Sequence, residues 1–234
     1  KSIQRKIKIV NQDIRNYKSI IKYFKNTDNV FHLAALADIV PSIENPSNYF
    51  SSNVQGTFNV LKASKENKVK RFLYSASSSC YGIPKNYPTS EKEKISTKYP
   101  YALTKRLGEE LVLHFAEVYK LNATSLRFFN VYGKRARSSG TYGAVFGVFL
   151  AQKVANRPFT IVGNGRQKRD FTHVSDIVSA LIKVSRKKNL KNKIFNVGSG
   201  KTVSINRIAD LLGGEKVFIP KRPGEPETTF ADIE

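Results

Sequence analysis

The 234-residue sequence contains no methionine and one cysteine, Cys80. A single cysteine excludes an internal disulfide framework and fits a reducing, cytoplasmic compartment. Without methionine, Lys1 is no retained initiator. The polar opening runs at once into Ile7-Lys8-Ile9-Val10, so the chain is expected to enter mid-domain, and to stop at Phe230–Glu234 without a terminal element. No apolar run reaches the roughly 18 residues that a membrane-spanning helix needs, and no signal-peptide pattern is visible. No His/Cys/Asp cluster has metal-ligand spacing, so no metal is expected. Acidic residues are scarce, 18 against 40 Lys and Arg, which leaves a net charge of +22. Such an excess attracts anions, whether nucleotide phosphates or nucleic acid. The basic runs Lys62–Arg71 and Arg186–Lys193 are short and lack the aromatic interleaving of a single-strand binder. Specific nucleic-acid binding is therefore not expected, and a solvated lysine-rich surface is the plainer reading.

What is present suits a globular protein. With 40% hydrophobic residues, a chain of this size can bury about 70% of its unfolded surface without a staple. Ile7–Val10 reads as a short strand, and Tyr17, Ile20, Ile21 and Phe24 have helical spacing. Val30–Ala35 is an apolar run of strand length, Asn45–Asn67 is helical, and Arg71–Ser75 is the next strand. A helix is predicted over Pro100–Tyr119, with Leu103, Leu107, Leu111, Phe115 and Val118 as its apolar stripe. Ala123–Phe129 follows as a strand. Strands alternating with helices predict an α/β fold with a parallel sheet covered on both faces. Ligands in such sheets bind beyond the carboxyl ends of the strands, which puts His32–Leu36, Ser75–Ser79 and Phe129–Gly133 on one rim. After Gly133 the texture is mixed: a helix over Tyr142–Ala155, a strand Phe159–Val162, a polar loop Gly163–Asp170, a helix Val174–Val184, a strand Ile194–Val197, and a helix through Leu212 capped by Ser204. One of these strands is expected to return to the first sheet, the rest forming a smaller domain.

Chemistry concentrates in Tyr99-Pro100-Tyr101-Ala102-Leu103-Thr104-Lys105. Proline is tolerated in the first helical turn, which makes Tyr101 and Lys105 an i, i+4 pair on one face. A phenol with a pKa of about 10 is a poor base at neutral pH, and an adjacent ammonium favours its phenolate. Upstream, Ser75-Ala-Ser77-Ser78-Ser79-Cys80 places hydroxyls at a strand end. A donor, a base and a cation could share one site. Cys80 reads as a packed thiol, and His32 and His114 as structural residues.

Further motifs follow in order: Asp13-Ile14; His32-Leu-Ala-Ala35; Asn53-Val-x-Gly56-Thr57; Arg127-Phe-Phe-Asn130-Val-Tyr-Gly133; Arg169-Asp170-Phe171; Asn196-Val-Gly198; and Arg222-Pro-Gly-Glu225. Together with Ser77 and Tyr101-x-x-x-Lys105, they resemble the extended short-chain dehydrogenase/reductases, and within these the NAD-dependent nucleotide-sugar epimerases acting on UDP-glucose/UDP-galactose or UDP-N-acetylglucosamine. The likeness spans Asp13 to Asp232. It implies a Rossmann-like doubly wound parallel sheet whose first βαβ unit is missing here, with a smaller C-terminal substrate-binding domain. The NAD-binding domain would be residues 1–133, rejoined by about 171–200, and the substrate domain 134–170 and 201–234. Tyr101 would be the base on the sugar 4-hydroxyl. Lys105 would hold the nicotinamide ribose and depress the tyrosine pKa, and Ser77 would hydrogen-bond the 4-oxygen. Asp13 and Ile14 would contact the adenine. Ala34, Ala35, Leu36, Ser75 and Phe128 would line the cofactor, and Asn53 would brace it. Ser79, Asn130, Arg169, Arg222, Glu225 and Thr229 would contact the UDP-sugar, the two arginines clamping the diphosphate and Thr229 leaving room for an N-acetyl group. A homodimer through Asn53–Ser64 and Pro100–Tyr119 is also implied.

The sequence departs from the family pattern in one respect: the Gly-x-x-Gly-x-x-Gly turn is absent. Gly140-x-x-Gly143-x-x-x-Gly147 follows a basic loop rather than a buried strand. This segment alone is therefore expected to hold NAD poorly. Ser78, Ser79 and Cys80 stand where dehydratases of the family carry an Asp-Glu pair and UDP-glucuronate decarboxylases a glutamate, so 4-epimerisation fits best. UDP-glucuronate epimerisation, dehydration or a silent NAD-binding scaffold are the alternatives.

Overall fold

The computed structural model describes residues 7–136, 145–188, 190, 193–221 and 226–234. Its centre is a four-stranded parallel sheet of β1 (Asn29–His32), β2 (Arg71–Ser77), β3 (Ala123–Phe128) and β8 (Ile194–Val197), side by side in that order. The strand expected to return from the C-terminal half is β8, with Ser125 opposite Ile194 and Phe128 opposite Val197. In β2, Phe72, Leu73 and Tyr74 are at most 1% exposed, the pattern of a strand covered on both faces.

Helix α1 (Tyr17–Ile20) runs into a 3-10 turn, so the spacing at Tyr17–Phe24 is realised as a short, tightened helix. Unforeseen is α2 (Ile39–Glu44). The Asn45–Asn67 helix is present, as α3 (Pro46–Tyr49), a π-helical stretch Phe50–Gln55, and α4 (Gly56–Glu66). Helix α5 spans Pro100–Val118. Its buried face meets the expected stripe only in part: Ala102, Lys105, Gly108, Glu109, Val112 and Phe115 face inward and Leu111 packs against the core, while Leu103 and Val118 are exposed. The small residues decide this orientation. A Cβ on Gly108 would lie 2.3 Å from the Tyr74 hydroxyl oxygen, so only glycine lets α5 approach β2 this closely.

The strand expected at Ile7–Val10 is absent. These residues are irregular, and Ile9 is 91% exposed. A strand exists through its ladder, and among the described residues nothing pairs with this stretch.

The C-terminal half adds α6 (Val145–Val154), β5 (Phe159–Val162), α7 (Val174–Arg186) and α8 (Ile205–Leu212). Ser204 caps α8, its hydroxyl accepting from the Arg207 N–H at 3.2 Å. Gly163–Asp170 is not all loop: β6 (Lys168–Arg169) pairs antiparallel with β9 (Val203–Ser204). Two parallel pairs were not foreseen, β4 (Asn130–Tyr132) with β7 (Phe171–His173), and β5 with β10 (Lys216–Ile219). Phe149, Phe159, Ile161, Ile205 and Ile208 form a second core here. Among the described residues no helix is long and apolar enough to cross a membrane.

Candidate active site

Because the central strands are parallel, His32, Ser77 and Phe128 end on the same rim, with Ser77 opposite Phe128 in register. Pro100 starts α5 at that rim. Tyr101 therefore meets the end of β2, where the Ser77 hydroxyl is near enough to favour its ionised phenol. Ser77 Oγ accepts from the Ser79 N–H at 3.2 Å and lies 2.8 Å from the Ser79 hydroxyl. A serine hydroxyl has one proton to give. With Ser79 filling its acceptor side, Ser77 has its own proton for the Tyr101 oxygen.

The charges differ from the expectation that Lys105 depresses the tyrosine. Burial pushes the Tyr101 phenol up, the Ser77 hydrogen bond pulls it down, the Asp38 carboxylate pushes it up, and the net direction is upward. Burial also lowers the Lys105 ammonium to about 7, opposed by the Glu109 carboxylate. Lys105 is 4% exposed, and its Nζ lies 4.4 Å from the centre of the Tyr74 ring. Asp38, which no sequence signal marked, has φ +84° immediately before α2. Such a conformation is uncommon outside glycine and clusters at functional sites.

Behind this pair sits a neutral buried network. Asn53, 1% exposed, donates from Nδ2 to the Thr104 hydroxyl and to the Leu36 carbonyl, both at 3.0 Å, and accepts from the Leu36 N–H at 2.7 Å. It thus ties the loop after β1 to the first turn of α5. It lies in the π-helical stretch, a distortion common at functional sites. Thr57 bonds the Asn53 carbonyl at 2.6 Å and His32 Nε2 at 2.9 Å. Burial, then the nearby Lys105 charge, drives His32 down to about 3, so it is a neutral structural imidazole. Burial raises the Cys80 thiol to about 12, as a packed thiol requires.

The other cofactor candidates flank the rim. Ala34, Ala35 and Leu36 follow β1, Ser75 lies within β2, and Phe128 ends β3. The Asp13 carboxylate binds Arg15 through Nε at 2.8 Å. Ile14 packs where a Cβ on Gly56 would come within 2.6 Å of its Cδ1. Residues here fit a dinucleotide: Lys105 is buried with no hydrogen-bond acceptor among the described residues, which a ribose hydroxyl would supply, and Asn53 ties the apolar loop after β1 to Thr104, the residue before Lys105. Of the substrate candidates, Asn130 and Thr229 meet, Asn130 Nδ2 donating to Thr229 Oγ1 at 2.8 Å. Arg169, 7% exposed, donates to the Lys168 carbonyl at 2.9 Å. Arg222 and Glu225 lie outside the described residues.

Sequence reasoning also missed Asp170. Fully buried, its carboxylate accepts from the N–H groups of Ser199 (2.7 Å), Gly200 (3.2 Å) and Ala231 (3.1 Å). It joins the loop after β8 to the C-terminal segment. Its place in the Arg169-Asp170-Phe171 motif was the only signal.

A family model described as the NAD dependent epimerase/dehydratase family matches residues 1–198. The chain belongs to that family. It is 34% identical to the UDP-glucuronate 4-epimerase of Thermodesulfobacterium geofontis over 231 residues, covering 94% of this chain and 69% of that one. The solved UDP-N-acetylglucosamine 4-epimerase of Methanobrevibacter ruminantium M1 superposes with a TM-score of 0.91 at 34% identity, over 97% of this chain and 74% of its own. UDP-glucose 4-epimerase of Thermotoga maritima, solved with UDP-glucose, gives 0.92 at 29% identity, over 99% and 78%. The shared architecture is the Rossmann-like α/β fold.

Proposed function

We propose that this protein is an NAD-dependent UDP-sugar 4-epimerase with Tyr101, Lys105 and Ser77 as its catalytic residues. The observation that carries the reading is the half-buried Tyr101 meeting the Ser77 hydroxyl at the end of β2, with the buried Lys105 one helical turn away. NAD, when bound, supplies reversible oxidation of the sugar C4 carbinol to a 4-ketone. Tyr101 takes the proton of the 4-hydroxyl and returns it after the ketone has turned over. Ser77, its acceptor side filled by Ser79, donates to the 4-oxygen. Lys105 holds a ribose hydroxyl of the cofactor and supports the tyrosine charge that burial opposes. Asn53 fixes the loop that lines the cofactor.

Residues 1–133 with about 171–200 serve as the NAD-binding domain and the remainder as the substrate domain, with Asn130, Arg169, Arg222 and Glu225 toward the nucleotide. UDP-glucose/UDP-galactose is the reference pair. The Thr229 side chain, engaged with Asn130, is small enough to admit an N-acetyl group as well. The exposed Leu103 and Val118 on α5 and Phe58 on α4 support a homodimer through these helices.

The test is interconversion of UDP-glucose and UDP-galactose by the complete protein, resolved chromatographically. Tyr101→Phe is expected to lower kcat by about 10³-fold, and undiminished turnover overturns the assignment. Absence of turnover on UDP-N-acetylglucosamine sinks the Thr229 reading alone.

A further inference from the structure

Two turns into α5, the helix that carries Tyr101 in its first turn, lies a buried ion pair that the proposed chemistry does not use. Glu109 is 1% and Arg127 2% exposed. Glu109 Oε1 is 2.7 Å from Arg127 Nη2, Oε2 is 3.0 Å from Arg127 Nε, and Oε2 also accepts from the Ser125 hydroxyl at 2.6 Å. Arg106 adds a contact from the same helix. This is fork geometry, with the carboxylate nearly saturated.

Arg127 also points toward the rim. Its Nη1 donates to the Tyr81 hydroxyl at 2.8 Å and to the Glu91 carbonyl at 3.2 Å. Tyr81 closes the 3-10 turn Ser78–Tyr81 that begins at Ser77. Its hydroxyl continues to Asn196 Oδ1 on β8 at 2.8 Å. One guanidinium thus links the helix of Tyr101, the turn of Ser77 and the last strand of the sheet. Glu109 is also i+4 from Lys105, so its carboxylate lies one turn behind the ammonium. The other ionisable groups around these two are Tyr101, Arg106 and Glu110 on α5, Tyr74 on β2, His32 on β1, Arg127 on β3, Cys80 and Tyr81 on the turn, and Glu91.

We propose that Glu109, clamped by Arg127, is a positioning residue: it keeps charge on Lys105 and fixes the helix of Tyr101 against the turn of Ser77. This rests on the proposed roles of Tyr101, Lys105 and Ser77. Burial alone would suit a structural pair, and an apolar pair of equal volume is often as stable. The geometry gives the pair a second use. The carboxylate is the group that opposes the burial-driven loss of the Lys105 proton. Burial would lift the Glu109 acid, but the Arg127 and Ser125 hydrogen bonds and the Arg127 and Arg106 charges bring it below its usual range, so it is anionic when Lys105 needs it.

The experiment uses the complete NAD-loaded protein and the near-isosteric Glu109→Gln. Lys105 is followed without turnover by NMR of its labelled ε-carbon, assigned with Lys105→Met. The Lys105 midpoint is expected to move to lower pH. In parallel, kcat per folded molecule falls by about 10- to 100-fold with KM within about threefold, as for a small misplacement of catalytic groups. The alkaline limb of the kcat profile shifts to lower pH in step. An unmoved Lys105 midpoint with unchanged kcat, beside a lowered melting temperature, overturns the proposal and leaves a structural pair. Should Glu109→Gln not fold, Tyr81→Phe removes only the hydroxyl between Arg127 and Asn196. It is expected to lower kcat by about 3- to 10-fold at constant KM, and an unchanged kcat there overturns the link to Ser77. Turnover that survives Tyr101→Phe breaks the catalytic reading instead, and the Lys105 titration still judges the charge-keeping role.

Discussion

Helix α5 carries two buried ionic sites one turn apart, and they are built in opposite ways. At Glu109 the carboxylate meets Arg127, Arg106 and Ser125, and both members of the main pair are at most 2% exposed. At Lys105 the ammonium is 4% exposed, and it faces the ring of Tyr74 at 4.4 Å. Saturated partners hold a charge in one protonation state. A buried charge that lacks partners drifts toward neutrality, and the lysine drops to about 7 while the Tyr101 phenol rises. The paired site stiffens the helix. The unpaired site has donors left for a ligand and protons that can move, at a cost in stability.

That contrast can be broken at either site. The largest expected effect on stability is at the paired one. Glu109→Leu strands Arg127 and should destabilise by about 3–5 kcal/mol, read from denaturant unfolding. The opposite sign is expected at the other site. Lys105→Met removes a penalised buried charge and should stabilise by about 2 kcal/mol at neutral or lower pH, while abolishing epimerisation. The sign follows from linkage. Folding lowers the Lys105 pKa to about 7 from an unfolded value of about 10.4, so between these values the unfolded chain binds more protons. This group's contribution therefore makes the native protein more stable as pH rises from about 7 to about 10. Lys105→Met should lose that slope, checked by unfolding free energies across the range.

Smaller effects sharpen the comparison. Asn53→Ala leaves the Leu36 backbone and the Thr104 hydroxyl without their shared partner. A loss of about 1–3 kcal/mol is expected, together with weaker retention of NAD measured by calorimetry. Smallest is Asp38→Asn. Removing this carboxylate takes away one of the groups that raise the Tyr101 phenol. The acid limb of the kcat profile should move to lower pH with little change in melting temperature. A shift to higher pH would show that Asp38 acts through its backbone geometry instead.

Much of the site could be read from the order of the residues. Tyr101-x-x-x-Lys105 on a proline-started helix, hydroxyls at the end of β2 and the rim of strand ends are local patterns, set by periodicities of about 3.6 and 2 residues. The second core likewise follows from Phe159–Val162 and the Ser204-capped helix. Where local pattern had no partner to meet, it misled. Ile7–Val10 has the composition of a strand, but among the described residues it has no neighbour with which to pair. The leucine stripe of α5 has helical spacing and meets the core at Leu111 and Phe115, but the helix is turned so that Gly108 contacts Tyr74 and Leu103 and Val118 stay exposed.

The sequence by itself determined the α/β alternation, the tyrosine–lysine pair and the family to which the chain belongs, because each is written in neighbouring residues or in ordered motifs. Only the tertiary structure decided which of those groups are charged and what they touch. Ser77 reaches Tyr101 across 24 residues, Glu109 reaches Arg127 across 18, and Tyr81 reaches Asn196 across 115. Desolvation and hydrogen bonding depend on the packed surroundings rather than on spacing. For that reason the burial that raises the Tyr101 phenol and the serine that draws it down could not be read from the tyrosine–lysine spacing.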